Sequence, residues 1–249
     1  MGKKERGAKA VATSNVESSI VFPNISPKSE LQCRVLLDDQ LIIIDVCSRD
    51  ITAIWMTDFP LQDIFSAAEC KSFVKFIDSL PLELTPPKKR GEAERHNHRF
   101  SITSVDFAKR LHAAFAPHLP PFPPARGSKG TNVGAARDAH SFNSNIRVYK
   151  YTPLQHFGPH YDDDCRDAMT GAKSEWTLLI YLTGYEDGVE GGETLFYPSG
   201  NASKDVIKAP LTRGTALLHR HGRDCMLHEG SPVLGGVKYV LRSDVMFMG

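Results

Sequence analysis

The sequence predicts an all-β core with flanking helices, α+β overall, arranged as a double-sheet jelly roll backed by N-terminal helices. Three observations lead there. Beyond residue 141, short apolar stretches alternate with Pro-, Gly- and Asp-rich turns, and no helical periodicity runs among them. Before that point, two stretches carry helical stripes. At 249 residues, 41% of them hydrophobic, the chain is long enough to bury the core such a fold needs.

Taken in order, residues 1–28 are rich in Lys, Ser, Ala and Asn without a periodic apolar pattern. A disordered tail is expected there, followed by one domain over 29–249. Leu31–Val46 reads as two strands around the polar turn Asp38-Asp39-Gln40. Ser66-Ala-Ala-Glu69 is a capping box that opens a helix, with Phe73, Phe76, Ile77 and Leu80 as its buried face. A second helix begins near Ser104 and sets Phe107, Leu111 and Phe115 in one stripe. Pro117–Ala139 is rich in proline, glycine and polar residues, and two readings stand for so long a loop: a substrate lid or a flexible connector. Eight strands then follow: Ile146–Tyr151, His156–Tyr161, Trp176–Thr183, Glu193–Tyr197, Val206–Lys208, Thr215–His219, Cys225–His228 and Val237–Phe247. Eight fit a jelly roll.

Composition excludes several classes. A charged fraction of 24% and a net charge of +1 give no argument for nucleic acid or a membrane surface as partner. The longest apolar runs, such as Leu41–Ile44, are far too short to span a bilayer. The opening MGKKERGAKAVATS has no apolar leader core, and Lys3-Lys4-Glu5-Arg6 reads as a solvated cluster or a weak nuclear address. Five cysteines without a CxxC suit reduced thiols. The expected setting is cytoplasmic or nuclear, without secretion.

The chemistry concentrates at His160-Tyr161-Asp162. Residues two apart on a strand share a face, so an imidazole and a carboxylate converge there. A third ligand must come from elsewhere, and His228, 66 residues beyond Asp162, is the candidate. Two histidines and a carboxylate form the facial triad that holds non-haem Fe(II) with positions left open. His219 and His221 compete for the distal place, or else pack in the core. Cys225 precedes His228 with C-x-x-H spacing, but no second such pair completes a structural zinc site. Asp163 and Asp164 read as turn residues, with Asp163 nearer to substrate. Lys238 and Arg242 share a face of a strand that is apolar on both sides. A cation buried there calls for an anion, such as the far carboxylate of a dicarboxylate co-substrate.

These residues keep company with Tyr151-Thr-Pro-Leu-Gln-His-Phe157, Gly191-Gly192-Glu193-Thr194-Leu195-Phe196, and His228-Glu-Gly-Ser-Pro-Val233 followed by Lys238. In order and spacing the region from about 141 to 249 resembles the Fe(II)- and 2-oxoglutarate-dependent oxygenases, in particular the prolyl 4-hydroxylase catalytic-domain group. The resemblance implies a double-stranded β-helix with iron inside one mouth. It implies His160, Asp162 and His228 as metal ligands and catalytic centre. Lys238 becomes the residue for the 2-oxoglutarate C5 carboxylate, Arg242 a second contact or a substrate binder, and Tyr151 and Tyr181 phenols that hydrogen-bond the co-substrate. Asn145 and Arg147 are candidates to face the mouth. The sequence departs from the family at Leu154-Gln155, where a glycine often follows the proline.

The activity implied is dioxygenase chemistry with Fe(II), 2-oxoglutarate and dioxygen, ascorbate being a possible accessory. 2-Oxoglutarate goes to succinate and CO2, and a protein side chain or a small metabolite is hydroxylated. Asp162 argues against a halogenase. Two other classes remain: a zinc-dependent, non-redox cupin-like enzyme with no use for Lys238, and a binding module with a vestigial metal site.

Overall fold

Along the last strand, Tyr239, Leu241 and Val245 point to one apolar cluster, while Val240 points to another between Lys238 and Arg242. A strand buried on both faces must be central, and the architecture follows from that. The structure, a computed structural model, describes residues 20–26, 31–37, 40–46, 65–119, 122, 136–167, 170–201 and 205–248.

Sixteen strands and two α-helices lie among these residues, with three short 3-10 turns between them. The first half holds β1 (Leu31–Leu37), β2 (Leu41–Val46), α1 (Ala67–Asp78), β3 (Glu83–Leu84), β4 (Arg95–His96), β5 (His98–Thr103) and α2 (Val105–Phe115). Next come β6 (Ser141–Phe142), β7 (Asn145–Tyr151), β8 (His156–His160), β9 (Lys173–Tyr181), β10 (Glu190–Gly191) and β11 (Thr194–Tyr197). The chain closes with β12 (Ile207–Lys208), β13 (Ala216–Arg220), β14 (Leu227–Gly230), β15 (Val233–Gly235) and β16 (Lys238–Phe247).

The major sheet runs β1-β2-β13-β9-β16-β7-β5-β3, with β6 also on β16. The minor sheet runs β12-β11-β14-β8-β4, and β10 pairs with β15 at one end. All named pairings are antiparallel. One cluster, with Tyr149, Tyr151, Tyr181, Phe196, Leu217 and Val240, contains residues of both sheets. The other contains Val148, Ile180 and Leu241 of the major sheet together with Phe73 and Ile77 of α1 and Phe107, Leu111 and Phe115 of α2. This is the jelly roll backed by helices that the sequence predicts.

Both helices begin where their caps dictate. The Ser66 hydroxyl accepts from Glu69 N–H, and the Glu69 carboxylate accepts from Ser66 N–H. Ser104 caps α2 through Phe107 N–H. Three expectations need adjustment. Residues 20–26, assigned to the tail, lie on the helices, where Phe22 is buried and stacks on Phe107 at 4.0 Å. Strands β3, β4 and β5 replace what the sequence left without elements. Strand β8 ends at His160, so Asp162 stands just beyond it, its N–H on Cys225 Sγ and its carbonyl accepting from Gly222 N–H. The rest of the expected tail, residues 1–19 and 27–28, and most of the expected lid, residues 120–121 and 123–135, lie outside the described residues. Phe122 is described; it packs on Trp176 and Phe247 and pairs with Arg137. Cys70, Cys165 and Cys225 are free thiols. No helix among the described residues is long and apolar enough to cross a membrane.

Candidate metal and co-substrate site

His160 and His228 meet because β8 and β14 are neighbours in register, with His228 directly opposite His160. Opposed residues of an antiparallel pair share a face, so both rings point into the sandwich. Phe157 stacks on His160 at 3.6 Å and Phe196 on His228 at 5.4 Å, which fixes both rings. Asp162 stands between them. Its Oδ1 lies 3.7 Å from His160 Nε2, and its Oδ2 lies 3.8 Å from His228 Nε2. The three offer ligand atoms within 4.8 Å of one another.

The hydrogen bonds of the rings say what they are for. His160 Nδ1 lies 2.8 Å from Gly158 O, and His228 Nδ1 lies 2.9 Å from Met226 O. A carbonyl only accepts, so each Nδ1 carries the proton and each Nε2 turns a lone pair towards Asp162. Burial, reinforced by His228, pushes the His160 imidazolium down to about 3. Burial likewise lowers His228. For Asp162 burial acts against ionisation, but the Arg242 guanidinium beside it outweighs that and holds the carboxyl well below its usual range. Neutral imidazoles and an ionised carboxylate are the protonation states a divalent metal requires. The set fits Fe(II), with two nitrogens, one oxygen and room for further ligands.

Thr177 Oγ1 donates to Asp162 Oδ2 at 3.1 Å, and Arg242 Nη1 donates to Oδ1 at 3.0 Å. Arg242 also pairs with Asp244, which in turn binds Arg147. The sequence offered Arg242 as a co-substrate contact and Arg147 as a mouth residue. Arg242 does line the inner cavity, and there its guanidinium engages Asp162 and Asp244, while Arg147 is drawn to Asp244. Asn145 pairs with Thr103 at the strand margin.

Lys238 lies at the other end of the same cavity, whose walls include Tyr149, Tyr151, Phe157, Thr194, Val240 and Gly230 as well as the triad. Its Nζ donates to Gly192 O at 2.5 Å and sits 5.4 Å and 5.5 Å from the ring centres of Tyr151 and Tyr181. Burial lowers its pKa to about 8, against the opposing pull of Glu193. A buried ammonium held by one carbonyl calls for an anion, and the far carboxylate of 2-oxoglutarate fits that need. Tyr151 lines this cavity. Tyr181 lies behind Lys238, and its hydroxyl is taken by Thr194 Oγ1 at 2.8 Å.

A second, open groove of about 750 Å³ reaches the triad from outside, bounded by Thr85–Arg99 on one side and by Phe157, His160, Asp162 and Asp163 on the other. Arg95 is clamped between the rings of Tyr149 and Phe157, at 4.6 Å and 4.4 Å, and its Nη2 has no partner. Tyr149, Arg95, Thr177 and Thr194 are site residues that sequence reasoning missed. No motif marks Tyr149, Arg95 or Thr177, which only the strand pairing brings in; Thr194 stands within the Gly191–Phe196 motif without a role read from it. His221, a rival of His228 in sequence, is tied to Ser174 and Thr177 at 2.9 Å each and does not reach the triad. His219 does approach it, with Nε2 3.6 Å from Asp162 Oδ2.

A model of the 2OG-Fe(II) oxygenase superfamily matches residues 146–243. No curated protein matches the chain. Among solved structures, the viral collagen prolyl hydroxylase of Paramecium bursaria Chlorella virus-1, in complex with 2OG, is 21% identical, with 75% of this chain and 94% of that one covered and a TM-score of 0.46. A Pseudomonas putida prolyl-4-hydroxylase is 15% identical, with 79% and 96% covered and a TM-score of 0.47. A Trichoplax adhaerens prolyl hydroxylase, in complex with a hypoxia inducible factor peptide fragment, is 15% identical, with 69% and 73% covered and a TM-score of 0.45.

Proposed function

We propose that this chain, whose residues 146–243 match the 2OG-Fe(II) oxygenase superfamily, is an oxygenase of that kind and hydroxylates a side chain of a protein segment lying in the open groove. One observation carries the reading: the triad stands at the junction of two cavities. The inner one ends at Lys238 and suits the co-substrate; the outer one opens to the surface and suits a chain.

His160, Asp162 and His228 would hold Fe(II), and Lys238 would receive the C5 carboxylate of 2-oxoglutarate. Together with dioxygen these supply an oxidation in which 2-oxoglutarate becomes succinate and CO2 and one oxygen atom goes to the substrate. The chain's own residues do the positioning. Arg242 and Thr177 engage both oxygens of Asp162, which fixes its orientation. Tyr149, Tyr151, Leu179 and Val240 wall the inner cavity and keep bulk water from it. Lys88, Lys89, Arg95 and Arg99 stand against Glu92, Asp162 and Asp163 along the groove, a small positive excess that favours a segment of net negative charge.

The test is incubation of the Fe(II)-loaded protein with 2-oxoglutarate, ascorbate and a panel of acidic and basic peptides. Peptide gaining one oxygen atom, coupled to succinate release and favoured for the acidic set, is the expected result. Oxygen transfer to small metabolites alone would overturn the protein-segment assignment.

A further inference from the structure

The C-x-x-H pair Cys225 and His228 lacks a second pair in sequence, and the fold supplies a partner from the opposite sheet. His219, on β13, faces the interior, so that His219, Cys225 and His228 each offer a ligand atom within 4.8 Å of the other two. His219 is 2% exposed, and its Nε2 has no hydrogen-bond partner. Its Nδ1 lies 3.1 Å from Arg220 O and therefore carries the proton. The Nε2 lone pair thus faces Asp162 Oδ2 at 3.6 Å, acceptor against acceptor. Only a proton or a cation between them relieves that arrangement. Cys225 Sγ lies 3.9 Å from His228 Nδ1 and accepts Asp162 N–H at 3.2 Å, so a metal shared with the sulfur takes His228 through Nδ1, and the ring's proton moves from Nδ1 to Nε2.

We propose that His219, Cys225 and His228 form a second metal site, overlapping the iron site at His228, that takes a thiophilic divalent cation such as Zn²⁺. A thiolate prefers Zn²⁺, whereas the nitrogen and carboxylate set suits Fe(II), so the two sets sort metals by softness. On binding, the thiol loses its proton to solvent and sulfur bonds the metal. His228 is common to both sets, and with its proton on Nε2 it no longer serves iron, so the zinc form is inactive. That consequence rests on the oxygenase reading; the binding itself does not.

The probes are Zn²⁺ and Co²⁺ added to the full chain. X-ray absorption of the zinc protein, and the near-ultraviolet charge-transfer band of the cobalt protein, read whether sulfur is bound. The expected result is one sulfur ligand in the wild type and none in Cys225→Ser. Cys225→Ser and His219→Phe should each raise the Zn²⁺ concentration that half-inhibits Fe(II)-dependent succinate formation by roughly tenfold or more, since even supporting groups of metal sites matter that much. Fe(II) affinity should move less. Zinc held by nitrogen and oxygen alone, or equal zinc inhibition of Cys225→Ser and wild type, would overturn the proposal. Failure of the Fe(II) protein to form succinate would sink the oxygenase reading instead, and the sulfur signal would still decide this one.

Discussion

Arg242 shows how much a fold adds to the sequence reading of a single residue. On sequence it is a second co-substrate contact or a substrate binder, and it does line the inner cavity. In the fold it bridges Asp162 and Asp244, buried with both. Removing it leaves two buried carboxylates short of their counter-charge. Arg242→Met should therefore cost on the order of 3–5 kcal/mol of stability, read by denaturant unfolding, and should weaken metal retention. Unchanged stability with a steep loss of 2-oxoglutarate affinity would restore the co-substrate role. Lys238 is the complementary case. Its folded pKa, lowered to about 8 by burial, lies below the ordinary lysine value. Its folded-state deprotonation therefore favours folding above the unfolded pKa, and that contribution is lost as pH falls through about 8. Anion binding needs the protonated form, so 2-oxoglutarate affinity should be flat below about pH 8 and fall roughly tenfold per unit above it. Lys238→Arg, charged at every accessible pH, should abolish that slope in a titration of 2-oxoglutarate affinity against pH. A slope that persists would assign it to another group.

At the scale of elements, the pairing of β8 with β14 does what no local pattern can do, since it selects His228 among three histidines. His228→Ala should lose Fe(II) binding, whereas His221→Ala should keep most of it, because His221 hydrogen-bonds Thr177 and not the metal set. The reverse result, read by metal titration, would mean the wrong distal ligand. The turn before β11 serves Lys238. Gly192 has φ +75°, and a Cβ there would sit 2.9 Å from Val233 Cγ2 and 3.4 Å from Lys238 Cδ. Gly192→Ala is strained by about 1–2 kcal/mol and shifts the carbonyl that holds the lysine. It should raise the 2-oxoglutarate requirement more than it weakens Fe(II) binding. Equal effects on both would point to general unfolding.

Over the whole molecule, what the sequence made legible was what repeats or is short-range. The capping box at Ser66, the stripes of α1 and α2, and the alternation of the late strands are local patterns, and the fold honours them within one to three residues while adding the short strands β6, β10 and β15. The spacing of His160 and Asp162 is local as well. The substrate side was not legible. Strand β5, HRFSIT, has few apolar residues and owes its conformation to β7 beside it. Strand β4 is two residues long. Together with the segment from Thr85 they wall the outer groove, so the surface that chooses a substrate is fixed by pairing across the chain and not by its own pattern. Arg95 is hidden for the same reason.

The central claim is that Fe(II) on His160, Asp162 and His228 works with an anion on Lys238. The most direct measurement is the visible spectrum of the Fe(II) protein with 2-oxoglutarate under anaerobic conditions, followed by succinate analysis after oxygen is admitted. A weak metal-to-ligand charge-transfer band and slow succinate formation are expected, both lost in Asp162→Ala. Protein shown to hold Fe(II) that gives neither band nor succinate would contradict the account.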